Sequence, residues 1–380
     1  MRLWLMDVKQ LDCSSNPAFD QHEGVYFAHD ARSGLEAIIA IHSTKLGPAA
    51  GGCRRWSYAD RESAVTDALR LARGMSLKNA MAGLPFGGGK AVLLAEPNRA
   101  PTTSEFEAFG RFVHALAGRY VTAEDVGVST DHMRVVREQT PYVSGLPQEG
   151  DAAGGDPSPW TALGVFLSLQ RAVAPLDLAD LTVAVQGVGH VGYHLCRLLH
   201  HAGAALIVAD IQPAVTARVV EEFGASVVSV DQILTTPADV LAPCALGGAI
   251  NERSIPELNA RLIAGAANNQ LAEETDATRL HDRGILLLPD YVINAGGIIA
   301  VAREYLGGST QDDLEQEVGR IPDRVAALLK ESKTSNLPPS VVADRMAQQL
   351  IGRSSISGSA AASVGGPATV NDNAAAGHEA

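Results

Sequence analysis

The feature that most constrains the fold is a series of apolar runs of strand length at 181–186, 204–210, 225–230, 238–244, 261–267 and 284–289. Their near-continuous Val, Ile, Leu and Ala content is that of strands covered on both faces, and helical stretches such as 191–201 separate several of them. This alternation predicts an α/β chain with a parallel, doubly wound sheet. The first run passes directly into "GVGHVG", where Gly187, Gly189 and Gly192 have G-x-G-x-x-G spacing, and a helical stretch follows. In that context the glycines allow a tight turn and the close approach of a pyrophosphate, whose charge is met by the N-terminus of the next helix. The loop, with Val191 inside it, is therefore a candidate cofactor-binding segment. Asp210 ends the second run, where a carboxylate bonds both ribose hydroxyls and repels the extra phosphate of NADP, so the expected cofactor is NAD.

Before about residue 145 the pattern is mixed. Residues 35–41 and 91–94 read as strands, Ala64, Ala68, Leu71 and Met75 share a helical stripe, and Phe106, Phe109, Val113 and Leu116 repeat helical spacing. The turn-rich "SGLPQEGDAAGGDPSP" predicts a domain connection near Gly150. From about Ser355 onward large apolar residues are nearly absent, which predicts a disordered tail over 353–380. A formal charge of −13 disfavours nucleic acid or an anionic membrane as partner. The four cysteines are far apart with no CxxC pair, which signals neither zinc nor a disulfide framework and fits a reducing cytoplasm. No metal is expected, since "HVGYH" at 190–194 lacks the glutamate of a zinc-protease motif.

The stretch "KNAMAGLPFGGGKAVLL" sets Lys78 and Lys90 twelve positions apart, with three glycines before the second. A phosphate-binding P-loop needs a glycine where Leu84 stands and Ser or Thr where Ala91 stands, so that reading fails. Partial desolvation between "FGGG" and "AVLL" would lower the pKa of Lys90 and suit it to proton transfer. In "YVTAEDVG", Asp125 reads equally as its acidic partner or as a solvated loop carboxylate. "GAANNQ" and "VINAGG" add amides able to hold a nicotinamide or substrate, among them Asn268, Asn269 and Asn294.

Together, "LGPAAGGCRRW", "ALRLARGMSLKNAMAGLPFGGGKAV", "VTAEDVG", "APCALGG", "AGAANNQLA" and "PDYVINAGG" resemble the amino-acid dehydrogenases of the glutamate, leucine, phenylalanine and valine group, over roughly residues 20–350. The resemblance implies reversible oxidative deamination of an L-amino acid to its 2-oxo acid and ammonia, with hydride passing to NAD. It makes Lys78 the partner of the substrate α-carboxylate and Lys90 the base that activates the attacking water. Asp125 would manage the amine proton, Gly51 and Gly52 would let backbone approach the substrate, and Asn268 and Asn269 would orient substrate and nicotinamide. Cys53 departs from the threonine more frequent in leucine-type members. In glutamate-using members, a lysine at the position of Ala50 and a serine at that of Val301 bind the side-chain carboxylate. Their absence, with Ile298 nearby, implies a neutral apolar substrate, leucine-like with phenylalanine also accepted. A phenylalanine-preferring member and a catalytically silent NAD-binding regulator are the alternatives.

The expected organisation is a catalytic and oligomerisation domain at 1–148, a Rossmann NAD domain at 149–323, a cleft between them, and a segment at about 324–352 returning to the first domain. A homo-oligomer follows from the same resemblance.

Overall fold

The computed structural model describes residues 7–146 and 156–353. The domain boundary expected near Gly150 and all but the first residue of the 353–380 tail lie outside them. The first half contains β1 (Asp7–Gln10), β2 (Gly24–Asp30), β3 (Leu35–Ser43), β4 (Ala49–Trp56), α1 (Arg61–Ala82), β5 (Gly87–Leu94), α2 (Thr103–Ala115), β6 (Tyr120–Glu124) and α3 (Thr130–Gln139). Its sheet runs β1-β2-β3-β5-β4-β6, antiparallel from β1 to β5 and parallel from β5 to β6. Because strand side chains alternate, β3 serves two cores. Leu35, Ala37, Ile39 and Ile41 join Phe106, Phe109 and Phe112 of α2 on one face. Ile38 and Ala40 join Ala64, Ala68, Leu69 and Ala72 of α1 on the other.

Helix α1 starts at Asp60, whose side chain accepts from the Ser63 amide, and stops at Gly83, which has the left-handed φ of 70° that favours glycine. Its buried stripe is rotated from the expected one: Val65 and Leu69 are buried, while Leu71 and Met75 are half-exposed. The cause is the second contact of α1. Its C-terminal half, Ser76–Ala82, is buried almost entirely because elements from the far end of the chain also pack on it.

The second half contains α4 (Ser158–Val173), β7 (Thr182–Gln186), α5 (His190–His201), β8 (Ala205–Ala209), α6 (Pro213–Phe223), β9 (Ser226–Val227), β10 (Val240–Pro243), β11 (Leu262–Ile263), α7 (Asp276–Asp282) and β12 (Leu286–Leu287). Each expected run contains one of these strands. The sheet is wholly parallel in the order β12-β11-β10-β7-β8-β9, the doubly wound arrangement with a switch point beside β7. Five further helices follow: α8 (Asp290–Ile293), α9 (Gly296–Leu306), α10 (Gln311–Val318), α11 (Ile321–Ser335) and α12 (Pro339–Leu350). Helices α8, α9 and α12 pack on α1, and α11 packs on α4 and α12. Arg353 donates to the carbonyls of Asp20, Gln21 and His42, so the last described residue lies against the first half.

Candidate active site

Both glycine-rich stretches are strands. "AAGGCRRW" is β4 and "GGGKAVLL" is β5, and packing explains their composition. A Cβ on Gly51 would stand 1.9 Å from the Gly89 carbonyl oxygen, and one on Gly88 would stand 2.0 Å from the Ser76 amide nitrogen. Only glycine permits strand and helix to approach this closely. The Tyr120 hydroxyl donates to the Gly51 carbonyl at 2.6 Å, bracing β4 from β6. This compact packing brings Lys78 of α1 and Lys90 of β5 into one cleft of about 420 Å³.

Lys90 is 6% exposed and its Nζ donates to Asp125 Oδ2 at 2.6 Å. Arg54 Nε reaches the same oxygen at 3.3 Å, while its Nη1 pairs with Asp67 at 3.1 Å. Burial alone would raise the Asp125 carboxyl, but the Lys90 and Arg54 charges and the Lys90 hydrogen bond hold it below the usual carboxylate range. The depressed ammonium is that of Lys78. Burial lowers its pKa to about 8, the Asp290 charge opposes this, and the Lys90 charge adds to it. Burial raises the Asp290 carboxyl in turn, against the hydrogen bonds it accepts from the Tyr291 and Gln270 amides.

The second half contributes the facing wall. Asn294 is 2% exposed and donates to Asn268 Oδ1 at 2.9 Å and to the Ala266 carbonyl at 3.1 Å, while its own Oδ1 has no partner among the described residues. Ala50, Gly51, Gly52, Lys78, Lys90, Asp125, Val191, Asn268, Asn294, Ile298 and Val301 all line the cleft. Asn269 does not. It sits in a turn with a φ of 52°, where its carbonyl accepts from the Gly248 amide. Gly187 and Gly189 lie in the adjoining loop after β7, Gly192 lies in the first turn of α5, and Asp210 directly follows β8.

That loop fits a dinucleotide. Gly187 has a φ of 89°, and a Cβ on Gly192 would stand 2.0 Å from the Gly187 carbonyl oxygen, so these two glycines are needed for the turn and for seating α5. A Cβ on Gly189 would meet nothing within 4 Å, and α5 has no side-chain cap, which leaves its first amides facing open space where a pyrophosphate can accept from them. Asp210 accepts from the Val188 and Gln212 amides, both at 2.9 Å, fixing its carboxylate beside the loop.

Comparison with known proteins agrees with this geometry. The Glu/Leu/Phe/Val dehydrogenase dimerisation-domain model matches residues 22–142, and the Glutamate/Leucine/Phenylalanine/Valine dehydrogenase model matches residues 209–337. The leucine dehydrogenase of Geobacillus stearothermophilus is 49% identical over 334 residues, covering 87% of this chain and 90% of the relative. The chain belongs to the Glu/Leu/Phe/Val dehydrogenase family. It is an amino-acid dehydrogenase, an oxidoreductase acting on a CH–NH2 donor, which sets aside the silent-regulator alternative. The valine dehydrogenase of Streptomyces coelicolor is 45% identical over 335 residues, covering 86% of this chain and 92% of the relative. The solved L-tryptophan dehydrogenase of Nostoc punctiforme superposes with a TM-score of 0.79 at 42% identity, covering 87% of this chain and 96% of that one.

Sequence reasoning overlooked Asn79 and Glu304 in this dehydrogenase cleft, and Asp290, whose charge acts on Lys78 from outside its lining. Asn79 is fully buried and donates to the Gly87 carbonyl at 2.6 Å, tying α1 to β5 beside Lys78. Its place next to Lys78 in "LKNAM" was the available signal. Asp290 stood in the quoted "PDYVINAGG", an acid at the edge of an apolar run. Glu304 lines the cleft with Val301, and burial pushes its carboxyl up to about 7. Its burial comes from tertiary packing, and no local pattern announces it.

Proposed function

We propose that the chain catalyses the reversible, NAD-dependent oxidative deamination of a neutral, apolar L-amino acid, leucine-like with phenylalanine also accepted, to the 2-oxo acid and ammonia. The observation that carries this reading is one cleft holding Lys78, Lys90 and Asp125 beside Ala50, Ile298 and Val301. Lys78 pairs with the α-carboxylate and orients the α-carbon towards the nicotinamide side of the cleft, where Asn268 and Asn294 hold the carboxamide. When bound, NAD supplies the hydride acceptor. Hydride loss leaves an electron-poor iminium carbon, and the Lys90–Asp125 separation of 2.6 Å supports transfer of the Lys90 ammonium proton from Nζ to Oδ2. Neutral Lys90 then acts as base and takes a proton from the water that attacks the carbon, while Asp125 gives its proton to the departing amine. Asp210, bonding both ribose hydroxyls, favours NAD over NADP.

Among the described residues, the cleft lining beside Ala50, Ile298 and Val301 adds no cation to Lys78 and Lys90 that could meet a second carboxylate. Burying a carboxylate there unpaired is heavily disfavoured, so glutamate and aspartate are poor substrates. The 22–142 match to a domain described as a dimerisation domain supports a homo-oligomer. The deciding experiment follows NADH formation with the twenty L-amino acids at mildly alkaline pH. Leucine-like substrates should lead, with phenylalanine active, and a preference for glutamate over both would overturn the pocket assignment.

A further inference from the structure

Asp344 of α12 connects two elements at the substrate end of the cleft although it does not itself line it. Its Oδ1 accepts from the Tyr291 hydroxyl at 2.7 Å, and its Oδ2 accepts from Arg73 Nη2 at 3.3 Å. Arg73 lies upstream of Lys78 on α1, and its Nε bonds Asp20 at 3.1 Å, which holds that end of the helix against the first half. Tyr291 follows Asp290 in α8, and its amide donates to Asp290 Oδ1 at 2.8 Å. The other carboxylate oxygen, Oδ2, accepts from the Gln270 amide at 3.3 Å.

The size of α8 makes these contacts consequential. It has four residues, too few for an isolated helix to hold its own shape, so its placement depends on what its side chains grip. Tyr291 grips α12 through Asp344, and Asp290 stands one residue earlier on the helix that packs against α1, near enough for its charge to favour the Lys78 ammonium. In a site of low dielectric, a small displacement of a carboxylate changes its interaction with an ammonium substantially.

We propose that Asp344 is a positioning residue for substrate-carboxylate recognition, holding Tyr291 so that Asp290 and Lys78 keep their relative placement across the α1–α8 contact. Asp344 touches neither substrate nor cofactor in this assignment. It acts from the C-terminal helix on a lysine of the first half, and the assignment rests on the reading of Lys78 as the α-carboxylate partner.

The test compares Asp344→Ala, Tyr291→Phe, the double variant and Lys78→Ala in the full chain. It measures leucine KM and kcat at saturating NAD, and NADH affinity by fluorescence. Asp344→Ala should raise the leucine KM roughly three- to thirtyfold, leaving kcat within about twofold and NADH affinity unchanged. Tyr291→Phe should raise it in the same direction, and the double variant should show no increase beyond Asp344→Ala, since that change already breaks the Tyr291 connection. A KM within about twofold of wild type in Asp344→Ala overturns the proposal, as does a full multiplicative increase in the double variant or a kcat loss at unchanged KM. If Asp344→Ala does not fold, Tyr291→Phe decides, and an unchanged KM there overturns the proposal equally. Lys78→Ala separates the two layers of inference. An unchanged KM in that variant removes the reading of Lys78 itself, whereas a raised KM with Asp344→Ala silent removes only the role of Asp344.

Discussion

Lys90 and Asp125 meet at 2.6 Å across an intervening strand: Lys90 is on β5, Asp125 follows β6, and β4 runs between them. What makes the contact possible is the absence of a side chain on Gly52 of β4. A Cβ there would stand 2.9 Å from Asp125 Cβ and 3.4 Å from Lys90 Nζ.

Gly52→Ala should therefore damage catalysis more than stability. The new methyl would also lie 2.8 Å from the Glu124 carbonyl oxygen, which must shift, at a cost of about 1–3 kcal/mol. Displacing the Lys90–Asp125 pair by an ångström should lower kcat by about a hundredfold. Kinetics on a variant with native circular dichroism checks this, and wild-type kcat would show that the pair tolerates separation.

Removing the base outright has a distinct signature. Lys90→Ala should lower kcat by roughly 10²–10⁴-fold while NADH affinity stays within about twofold, because Lys90 and the glycine loop lie in different halves. Fluorescence titration beside steady-state kinetics measures both, and retained turnover would end the assignment of Lys90.

The pKa of about 8 at Lys78 predicts a pH-dependent KM. Only the protonated ammonium attracts a carboxylate, so below about pH 8 the free enzyme binds substrate in full strength. Above it the leucine KM should rise, approaching tenfold per pH unit. Lys78→Arg, whose guanidinium remains charged throughout, should flatten that rise whatever its effect on the absolute KM. A wild-type KM flat from pH 8 to 10 would contradict the assignment.

Cofactor choice should follow Asp210. A carboxylate about 4 Å from a phosphate charge costs roughly 4 kcal/mol at an effective dielectric of 20, enough for a preference above a hundredfold. Asp210→Ala should reduce the NAD:NADP ratio of kcat/KM at least tenfold. Equal use of both cofactors by the unmodified enzyme would mean that Asp210 does not face the ribose.

Ala50 lines the cleft, and in the proposed reading it sets the room at the side-chain end. Ala50→Leu should depress kcat/KM for phenylalanine more than for valine, by about 1–3 kcal/mol of discrimination for the added bulk. An equal loss for both would place Ala50 away from the side chain.

The parallel sheet was legible in the sequence because strands buried on both faces are apolar throughout, and β7–β12 each fall inside such a run. Strand β4 and the glycine-rich first half of β5 were not. Strand propensity reflects side chains packing on a pleated surface, whereas Gly51, Gly52 and Gly88 are there to let backbone meet backbone. The two lysines could be singled out from their surroundings, but the depressed pKa of Lys78 could not be foreseen, since the helices α8 and α9 that pack on α1 stand more than two hundred positions away. Asp290 and Glu304 escaped notice for the same reason, since their environments are assembled by the fold.

Helix α1 also imposes an order of events on biosynthesis. Arg73 and Asp344 are 271 positions apart. At roughly 5–20 residues per second, a ribosome completes the lysine-bearing helix on the order of 10–50 s before it makes the helix that clasps it. Through that interval the buried C-terminal half of α1 lacks the covering of α8, α9 and α12, and its apolar surface is open to chaperones or to a neighbouring nascent chain. The last stretch of translation therefore completes the cleft of the first half, and a polypeptide stalled before α12 would carry Lys78 on a helix that is still unclasped.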